Sequence, residues 1–358
     1  MNTDLRTGRE PAGAGPRSVP AAGLHARDAG RLLILRAAAL FDGISPALIA
    51  EPLVVIANGE ITAVHGPGGP VPADAHVVDL PGLTLMPGLV DAHLHLCFDA
   101  TSDPVGHLAE TGDDLLRAAV RERAERGVDV IKVMASGGNM TPGPLAYEPQ
   151  FGPGSLRAIV DEAHRHGLPV TAHAHGARSV ADAVAAGVDG IEHATFMTPG
   201  GVDAPEPLIR TIAAQRISVG WTVGRDPGHA GTVPPQIASR MAALITARRR
   251  LYESGAVLVP GSDAGVSPAK PHDVLRFAPE DMAAAGPSPA EILQAMTSRA
   301  AQACGLGHRK GRIAPGFDAD ILAIDGNPLA DLAAIRRLRA VYAGGRAVLP
   351  APDSLGTA

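Results

Sequence analysis

The feature that most constrains the fold of this chain is an alternation of apolar segments with alanine-rich amphipathic segments, which begins at Pro87. Short apolar runs predict buried strands, and apolar residues three or four positions apart predict helices that bury one face. Alternating strands and helices are typical of parallel βαβ units. The sequence predicts an α/β fold with six such strands, at residues 88–96, 128–135, 169–173, 188–193, 217–221 and 256–262. The predicted helices are residues 113–126, 155–166, 179–186, 205–215, 235–254 and 288–304.

Strand-type sequence flanks this region on both sides. Five short apolar runs precede it, and Asn58-Gly59 indicates a hairpin turn between two of them. Strand-type sequence returns near the other end of the chain, around Gly344-Gly345. We therefore expect a small antiparallel β domain, a β-sandwich composed of residues 31–84 and 312–350, beside a TIM-like (β/α) barrel of residues 85–311.

The composition excludes several classes of function. The chain has 31 Lys and Arg against 37 Asp and Glu, and its basic residues are scattered, so we expect no nucleic-acid partner. No apolar run reaches about 18 residues, so no membrane span is expected. Two cysteines, Cys97 and Cys304, cannot form a disulfide framework, which predicts a cytoplasmic location. Residues 1–30 lack the apolar core of a signal peptide and are predicted to be a flexible leader, with residues 351–358 as a tail.

Residue types that ligate metals stand at the ends of the predicted strands. His93 and His95 lie two positions apart and therefore share one face of a strand. A polar residue at a strand end is common, so each position is weak evidence when taken alone. In a barrel the C-terminal ends of the parallel strands meet at one face, where active sites form. The side chains predicted to converge there with this pair are Lys132, His173, His175, His193 and Asp263.

Lys132 interrupts the apolar strand of residues 128–135. Burial of an ammonium is costly, so a lysine in this position tends toward the neutral amine. A neutral amine can form a Schiff base, or it can add carbon dioxide to give a carbamate whose two oxygens bridge two metals. The competing interpretation is a lysine whose stem is buried and whose amine reaches solvent at the barrel mouth.

Together these segments resemble the metal-dependent amidohydrolase superfamily, in particular its branch of Xaa-Pro dipeptidase-like and N-acyl-amino-acid hydrolases. The resembling residues are 87–95, 131–138, 172–176, 191–193, 261–265 and 316–320. The resemblance extends over about residues 31 to 350, and it implies a barrel with two divalent metal ions, for which zinc is expected.

The resemblance also implies a role for each ligand-type residue. His93, His95 and Asp263 would hold one metal, and His173 and His193 the other, with carboxylated Lys132 bridging both. A metal-bound hydroxide would then hydrolyse the amide bond of a small molecule, a dipeptide or an N-acyl amino acid. Asp263 would take the proton of the hydroxide and give it to the leaving amine.

Further residues are candidates for orienting ligands or contacting substrate. Asp91 lies two positions before His93 and is expected to orient its ring. His175 is predicted at the rim of the site, because His173 is nearer the interior of its strand. The loop residues with a predicted substrate contact are Tyr147, Arg225 and His229, and surface placement is the alternative for each.

One interval is shorter than the resemblance implies. From His95 to Lys132 there are 132 − 95 = 37 positions, whereas the family's bridging lysine ends the fourth strand and each βα unit takes about 30 residues. With six strands predicted, we expect the barrel to lack about two βα units after its first strand. Unpaired strand edges would then need cover, which a partner subunit could supply, so a homo-oligomer is expected.

Two other functions stay open. A cyclic-amide or imidazolone-type hydrolase would use the same metals on a ring substrate, and the motifs do not separate it from the first hypothesis. A catalytically impaired metal-binding relic is favoured by the short interval and disfavoured by the complete ligand set. A Schiff-base enzyme would leave five ligand-type residues without a role.

Overall fold

The computed structural model describes residues 32–93, 112–138, 145–232 and 235–349. The strands are β1 (Leu33–Leu40), β2 (Ile49–Ala50), β3 (Leu53–Ala57), β4 (Glu60–His65), β5 (His76–Pro87), β6 (Ile131–Met134), β7 (Val170–Gly176), β8 (Gly190–Thr198), β9 (Gly201–Val202), β10 (Ser218–Thr222), β11 (Val257–Gly261), β12 (Ile321–Asp325), β13 (Leu338–Ala343) and β14 (Arg346–Leu349). The α-helices are α1 (Asp113–Glu125), α2 (Pro153–Arg165), α3 (Ala177–Ala186), α4 (Glu206–Ala214), α5 (Pro235–Ala238), α6 (Met241–Glu253), α7 (Ala278–Ala283), α8 (Pro289–Gln294) and α9 (Ala300–Ala303).

The first sheet takes its strands from both ends of the described chain. Its order is β14-β13-β12-β5-β1-β3-β4, with β2 paired to β1. β5 is parallel to β1 and antiparallel to β12, so the sheet is mixed and the prediction of an antiparallel unit was wrong. The reason is that β2, β3 and β4 lie between β1 and β5 in the chain, which lets β5 return in the same direction as β1. The β-sandwich and the domain boundaries stay predictions.

The second sheet confirms the predicted α/β fold with parallel strands. Its order is β11-β10-β8-β7-β6, all parallel, and the short β9 pairs with β8 in the antiparallel direction. The helices cover the sheet because their apolar faces are buried against it; α2, for example, buries Leu156, Ile159 and Val160. None of the helices within the described ranges is long and apolar enough to cross a membrane.

Residues 88–93 run beside β11 and take the place of a first barrel strand without regular strand geometry. The backbone N–H of Asp263 donates to the carbonyl of His93 at 2.7 Å, and the N–H of Ala92 donates to that of Pro260 at 3.5 Å. The remainder of the predicted first strand, residues 94–96, lies outside the described residues. Within the described ranges no strand lies between this segment and β6. The expected lack of two βα units stays a prediction.

The predicted helix of residues 288–304 contains a wide turn. α8 begins with a capping box between Ser288 and Glu291, and residues 295–299 between α8 and α9 form a π-helix. The carbonyl of Met296, in this π-helix, accepts the backbone N–H of Val90 at 2.9 Å. The wide turn therefore holds the segment that leads to His93.

Candidate metal centre

Four imidazoles, an amine and a carboxylate converge at the C-terminal ends of the parallel strands. Lys132 lies in β6, and β7 and β8 carry the histidines His173, His175 and His193. His93 ends the segment beside β11, and Asp263 follows β11 by two residues. The structure therefore brings together all the predicted ligand-type residues except His95, which lies outside the described residues together with Cys97.

The histidine rings are in mutual contact. The ring centroids of His173 and His175 lie 4.5 Å and 4.4 Å from that of His193, and that of His93 lies 5.2 Å from it. One ring nitrogen from each of His173, His175 and His193 lies within 4.8 Å of the others. His175 is therefore buried inside the cluster, and its predicted place at the rim was wrong. β7 continues to Gly176 instead of ending at His173, so alternation turns both of its histidines to the same side.

In His173, His175 and His193, one ring nitrogen contacts an oxygen atom outside the cluster. His173 Nε2 donates to the carbonyl of Gly137 at 3.2 Å. His175 Nδ1 donates to Thr195 Oγ1 at 3.0 Å, because that hydroxyl itself donates to the carbonyl of His175. His193 Nδ1 lies 3.2 Å from Thr222 Oγ1. Because one nitrogen of each ring makes these contacts, the other nitrogen is the one available to a metal. Outer hydrogen bonds orient metal-bound histidines in the same way.

Burial keeps the imidazoles of His173, His175 and His193 neutral. Desolvation lowers the pKa of His173 to about 4 and that of His175 to about 3. The pKa of His193 is well below its ordinary value for the same reason, and the neighbouring rings lower it further. A neutral imidazole is the form that binds a metal ion, so the donor set and its protonation state fit a bound cation.

Glu192 orients His93, a role the sequence analysis gave to Asp91. Glu192 Oε2 lies 2.7 Å from His93 Nδ1, and its Oε1 accepts the hydroxyl of Thr171 at 2.9 Å. Burial raises the pKa of Glu192, but the hydrogen bonds outweigh that effect and the net pKa is lowered. An ionised carboxylate only accepts, so the proton of His93 is on Nδ1. Asp91 Oδ1 instead accepts the backbone N–H groups of His93 and Ser262.

The carboxylate of Glu192 occupies space that is open only because residue 220 is a glycine. A Cβ at residue 220 would lie 1.9 Å from Glu192 Oε2 and 3.2 Å from Glu192 Cα. Any side chain on this residue of β10 would therefore displace the carboxylate. A glycine inside an apolar strand indicates a close approach of this kind, so Gly220 is the sequence signal for the position of Glu192.

Lys132 and Asp263 meet at the other nitrogen of His93. Lys132 Nζ lies 2.9 Å and Asp263 Oδ1 3.4 Å from His93 Nε2. The side chain of Lys132 is exposed in part, yet desolvation of its amine lowers its pKa, and the charges of Glu192 and Asp263 oppose the effect. Asp263 has a left-handed backbone with φ 55°. Lys270 Nζ supports this turn by donating to the carbonyl of Ser262 at 2.9 Å.

A buried arginine supports the bent end of β8. His193, Ala194 and Phe196 all have positive φ, at 69°, 40° and 51°. Arg248, in α6, is buried and donates through Nη2 to the carbonyl of His193. Its guanidinium carbon lies 5.9 Å from the centroid of the Trp221 ring, and burial lowers its pKa to about 10. The guanidinium thus provides a hydrogen-bond donor for the carbonyl of His193 at the bend.

The predicted substrate-contact residues on the loops have varied surroundings. The carbonyl of Tyr147 packs so closely on Gly176 that a Cβ there would lie 2.2 Å from it. His229 is exposed and lies 2.9 Å from Asp226 through its Nδ1. Arg225 is half-buried, and its charge adds to the burial that lowers the pKa of Lys270. Substrate contact by His175, Tyr147, Arg225 and His229 stays a prediction.

The chain is similar to known proteins in sequence and in fold. An ochratoxinase of Aspergillus niger is 30% identical over 237 residues, which are 64% of this chain and 48% of that protein. The chain thus spans about half the length of the curated relatives it matches. The crystal structure of a Xaa-Pro dipeptidase with methionine bound in its active site superposes with a TM-score of 0.75 and 21% identity, over 89% of this chain and 100% of the other. That of A. niger ochratoxinase gives a TM-score of 0.71 and 21% identity, over 89% and 96%.

These structural matches share the fold of this chain. Residues 109–348, more than half of the chain, match the pattern of the amidohydrolase family. The match confirms the superfamily that the strand-end residues indicated. The chain belongs to the amidohydrolase family.

Proposed function

We propose that this protein is a metal-dependent amidohydrolase that hydrolyses the amide bond of a dipeptide or an N-acyl amino acid. The observation that carries the proposal is the convergence of neutral, buried imidazoles with Lys132 and Asp263 at one end of the parallel sheet. Membership of the family supports it. The dipeptidase among its structural neighbours is named for a substrate whose bond is an amide, and this favours the dipeptidase-like branch.

The proposed ligand assignment is the one that the family resemblance implies, and the cluster supports it for the described residues. His93, His95 and Asp263 would hold one cation, and His173 and His193 a second, with zinc as the expected metal. His175 competes with His173 for the second cation, because both rings contact His193. When bound, the metals would lower the pKa of a water molecule and polarise the scissile carbonyl.

The residues of the chain have three tasks in this reaction. Lys132 would add carbon dioxide through its unprotonated amine and release a proton, and the oxygens of the resulting carbamate would serve as metal ligands. Asp263 accepts a proton from the attacking water and returns it to the nitrogen of the leaving amine as the C–N bond breaks. Glu192 holds the ring of His93 so that its Nε2 faces the site.

The remaining expectations belong to the same proposal. The substrate would be a small molecule, with no nucleic-acid or membrane partner, as the scattered basic residues indicate. A homo-oligomer would cover the edge of β6, which pairs on one side only within the described residues. A cytoplasmic location stays a prediction from the two cysteines.

The test is hydrolysis by the protein purified with zinc and bicarbonate. We expect turnover of N-acyl amino acids or Xaa-Pro dipeptides, and a loss of about 10²–10⁴-fold in kcat/KM for Asp263→Ala. Lys132→Ala should lose bound metal as well as activity. Asp79→Ala, which removes an exposed carboxylate paired with Arg36 in the first sheet, is the matched control and should keep both metal and activity.

Full activity in the Lys132→Ala, Asp263→Ala double variant would contradict the proposal. Turnover of cyclic amides alone would favour the ring-hydrolase alternative. Stoichiometric metal without turnover on a broad amide panel would favour the relic.

A further inference from the structure

A second concave site lies apart from the histidine cluster. It is a cleft of about 610 Å³ between the loop that follows β1 and the turn that follows α9. Its lining includes Arg299, Arg312 and His308, together with two glutamines and a serine. No Asp or Glu lines it among the residues the structure describes, although the chain as a whole has a net charge of −6. The cleft is therefore locally basic in an acidic protein.

The two arginines of the cleft differ from their neighbours in having no carboxylate partner. Arg309 and Lys310, close by in sequence, both pair with Asp318 at 2.8 Å. Within the described ranges neither Arg299 nor Arg312 has a carboxylate within 4.0 Å. Arg299 donates to the side-chain oxygen of Gln294 at 2.8 Å, and the nearby carboxylate of Glu291 is engaged by Ser288 and Tyr252.

Arg312 carries a more specific signal. Its guanidinium carbon lies 5.1 Å from the centroid of the Phe317 ring, which fixes its plane. Its Nε is buried and has no hydrogen-bond partner among the described residues. An unsatisfied donor on a charged group is costly, so the described chain leaves the hydrogen-bonding capacity of this guanidinium partly unfilled.

The turn after α9 adds backbone donors. The N–H groups of Gly307 and His308 follow one another, and neither donates to another residue in the part of the chain that the structure describes. Successive backbone N–H groups in a turn are a common anion-binding element. The cleft thus combines two guanidinium groups with two successive amides.

The walls of the cleft are held together before any ligand binds. Ser298 donates through its hydroxyl to the carbonyl of Gly43 at 2.6 Å, and Gln294 donates through its amide to that of Ile44. Ser298 and Arg299 belong to the π-helix, an element found frequently at functional sites. Ligand sites are usually preformed and have volumes of about 300–1,000 Å³, which includes this cleft.

We propose that this cleft binds the phosphate group of a small molecule. A carboxylate has two oxygens, whereas the donors here come from two guanidinium groups, an imidazole and two amides, which suits the larger number of oxygens on a phosphate. The volume leaves room for the remainder of a small metabolite. The proposal is independent of the reaction at the histidine cluster.

Calorimetric titration of the full-length, metal-loaded protein with inorganic phosphate at constant ionic strength tests the proposal. We expect saturable binding, weakened about tenfold or more by Arg299→Gln and again by Arg312→Gln, since each removes a charge-assisted hydrogen bond. Arg346→Gln, which changes an exposed arginine of β14, is the matched control and should bind as the parent does. Phosphate binding that is lost in Lys132→Ala occurs at the histidine cluster. Phosphate binding in the cleft should be unchanged in that variant.

Three results would overturn the proposal: no saturable binding, equal weakening by Arg346→Gln, or unchanged binding in the Arg299→Gln, Arg312→Gln double variant. Acetate binding as tightly as phosphate would overturn the choice of phosphate. Should Arg312→Gln unfold, Arg299→Gln decides, because Arg299 is exposed and its replacement leaves the core unchanged. Arg312→Lys then provides a second measurement, since it keeps the charge and loses the forked geometry.

Discussion

Replacement of Gly220 by alanine tests whether Glu192 holds His93 in a metal-binding orientation. The new Cβ would lie 1.9 Å from Glu192 Oε2, whereas ordinary contacts begin at 3.4 Å, so the carboxylate must move by about 3.4 − 1.9 = 1.5 Å. A shift of that size directed away from His93 would lengthen the 2.7 Å hydrogen bond to His93 Nδ1 to about 4.2 Å and break it.

Two consequences are expected from Gly220→Ala. Metal affinity should fall by about 10–100-fold, the usual effect of removing a group that orients a ligating histidine. Overpacking should lower the free energy of unfolding of the metal-free protein by about 1–3 kcal/mol, a decrease of a few °C in Tm. Zinc competition with a chromophoric chelator measures the first effect, and thermal unfolding after chelation measures the second.

A control and a double-mutant cycle make this experiment specific. Gly154→Ala makes the same change in α2, where the new Cβ meets nothing within 4 Å, and should leave metal affinity unchanged. In a Glu192→Ala background the clash with the carboxylate disappears, so Gly220→Ala should add little to the loss of affinity. Parental zinc affinity in Gly220→Ala, or an equal loss in both backgrounds, would refute the reasoning.

Three further perturbations have defined outcomes. The pKa values of His173 and His175 are depressed to about 4 and about 3 in the folded chain. The unfolded state therefore takes up protons first as the pH falls below about 6.5, and metal-free protein should lose about 1.4 kcal/mol of stability per pH unit for each histidine down to about pH 4. Urea denaturation at several pH values measures this, and a flat profile would contradict the buried, neutral state. Arg248→Ala should cost about 1–3 kcal/mol, because the carbonyl of His193 loses a charged donor. Millimolar guanidinium should partly restore thermal stability in that variant but not in the parent. Ser288→Ala removes the capping box of α8 and should cost about 1 kcal/mol in urea denaturation, with metal affinity unchanged.

The region of convergence was predictable from the sequence because it depends on chain direction. Once the strands are parallel, their C-terminal ends lie on one edge, and Lys132, His173 and Asp263 were expected near it. Local patterns also located the hairpin at Asn58-Gly59, which joins β3 to β4.

The placement of individual side chains in the site could not be predicted, because it depends on local backbone geometry. Alternation places Glu192 and His193 on opposite faces, yet both reach the site because the left-handed φ of His193 turns its ring back. β7 runs three residues past His173. His175 therefore belongs to the strand and faces the cluster, whereas a strand that ended at His173 would leave it in a loop. A sequence pattern locates the ends of strands and helices least accurately. The residues that hydrogen-bond the candidate ligands depend on where those ends fall.

Sheet direction was missed for a related reason. A hairpin signal reports only on strands that are neighbours in the chain, whereas β5 pairs with β1 and β12, both distant in sequence. The wide turn of residues 295–299 likewise has no signature in an alanine-rich helical pattern, and it is stabilised by its contact with Val90.

The position of β5 in its sheet has a consequence for biosynthesis. β5 leads directly to His93, and one of its edges is completed only by β12, which begins 321 − 87 = 234 residues after β5 ends. At ribosomal rates of about 5–20 residues per second, that interval lasts on the order of tens of seconds. The nascent chain therefore emerges with one edge of β5 unpaired until β12 has been synthesised, so the segment that ends at His93 reaches its final surroundings only late in synthesis.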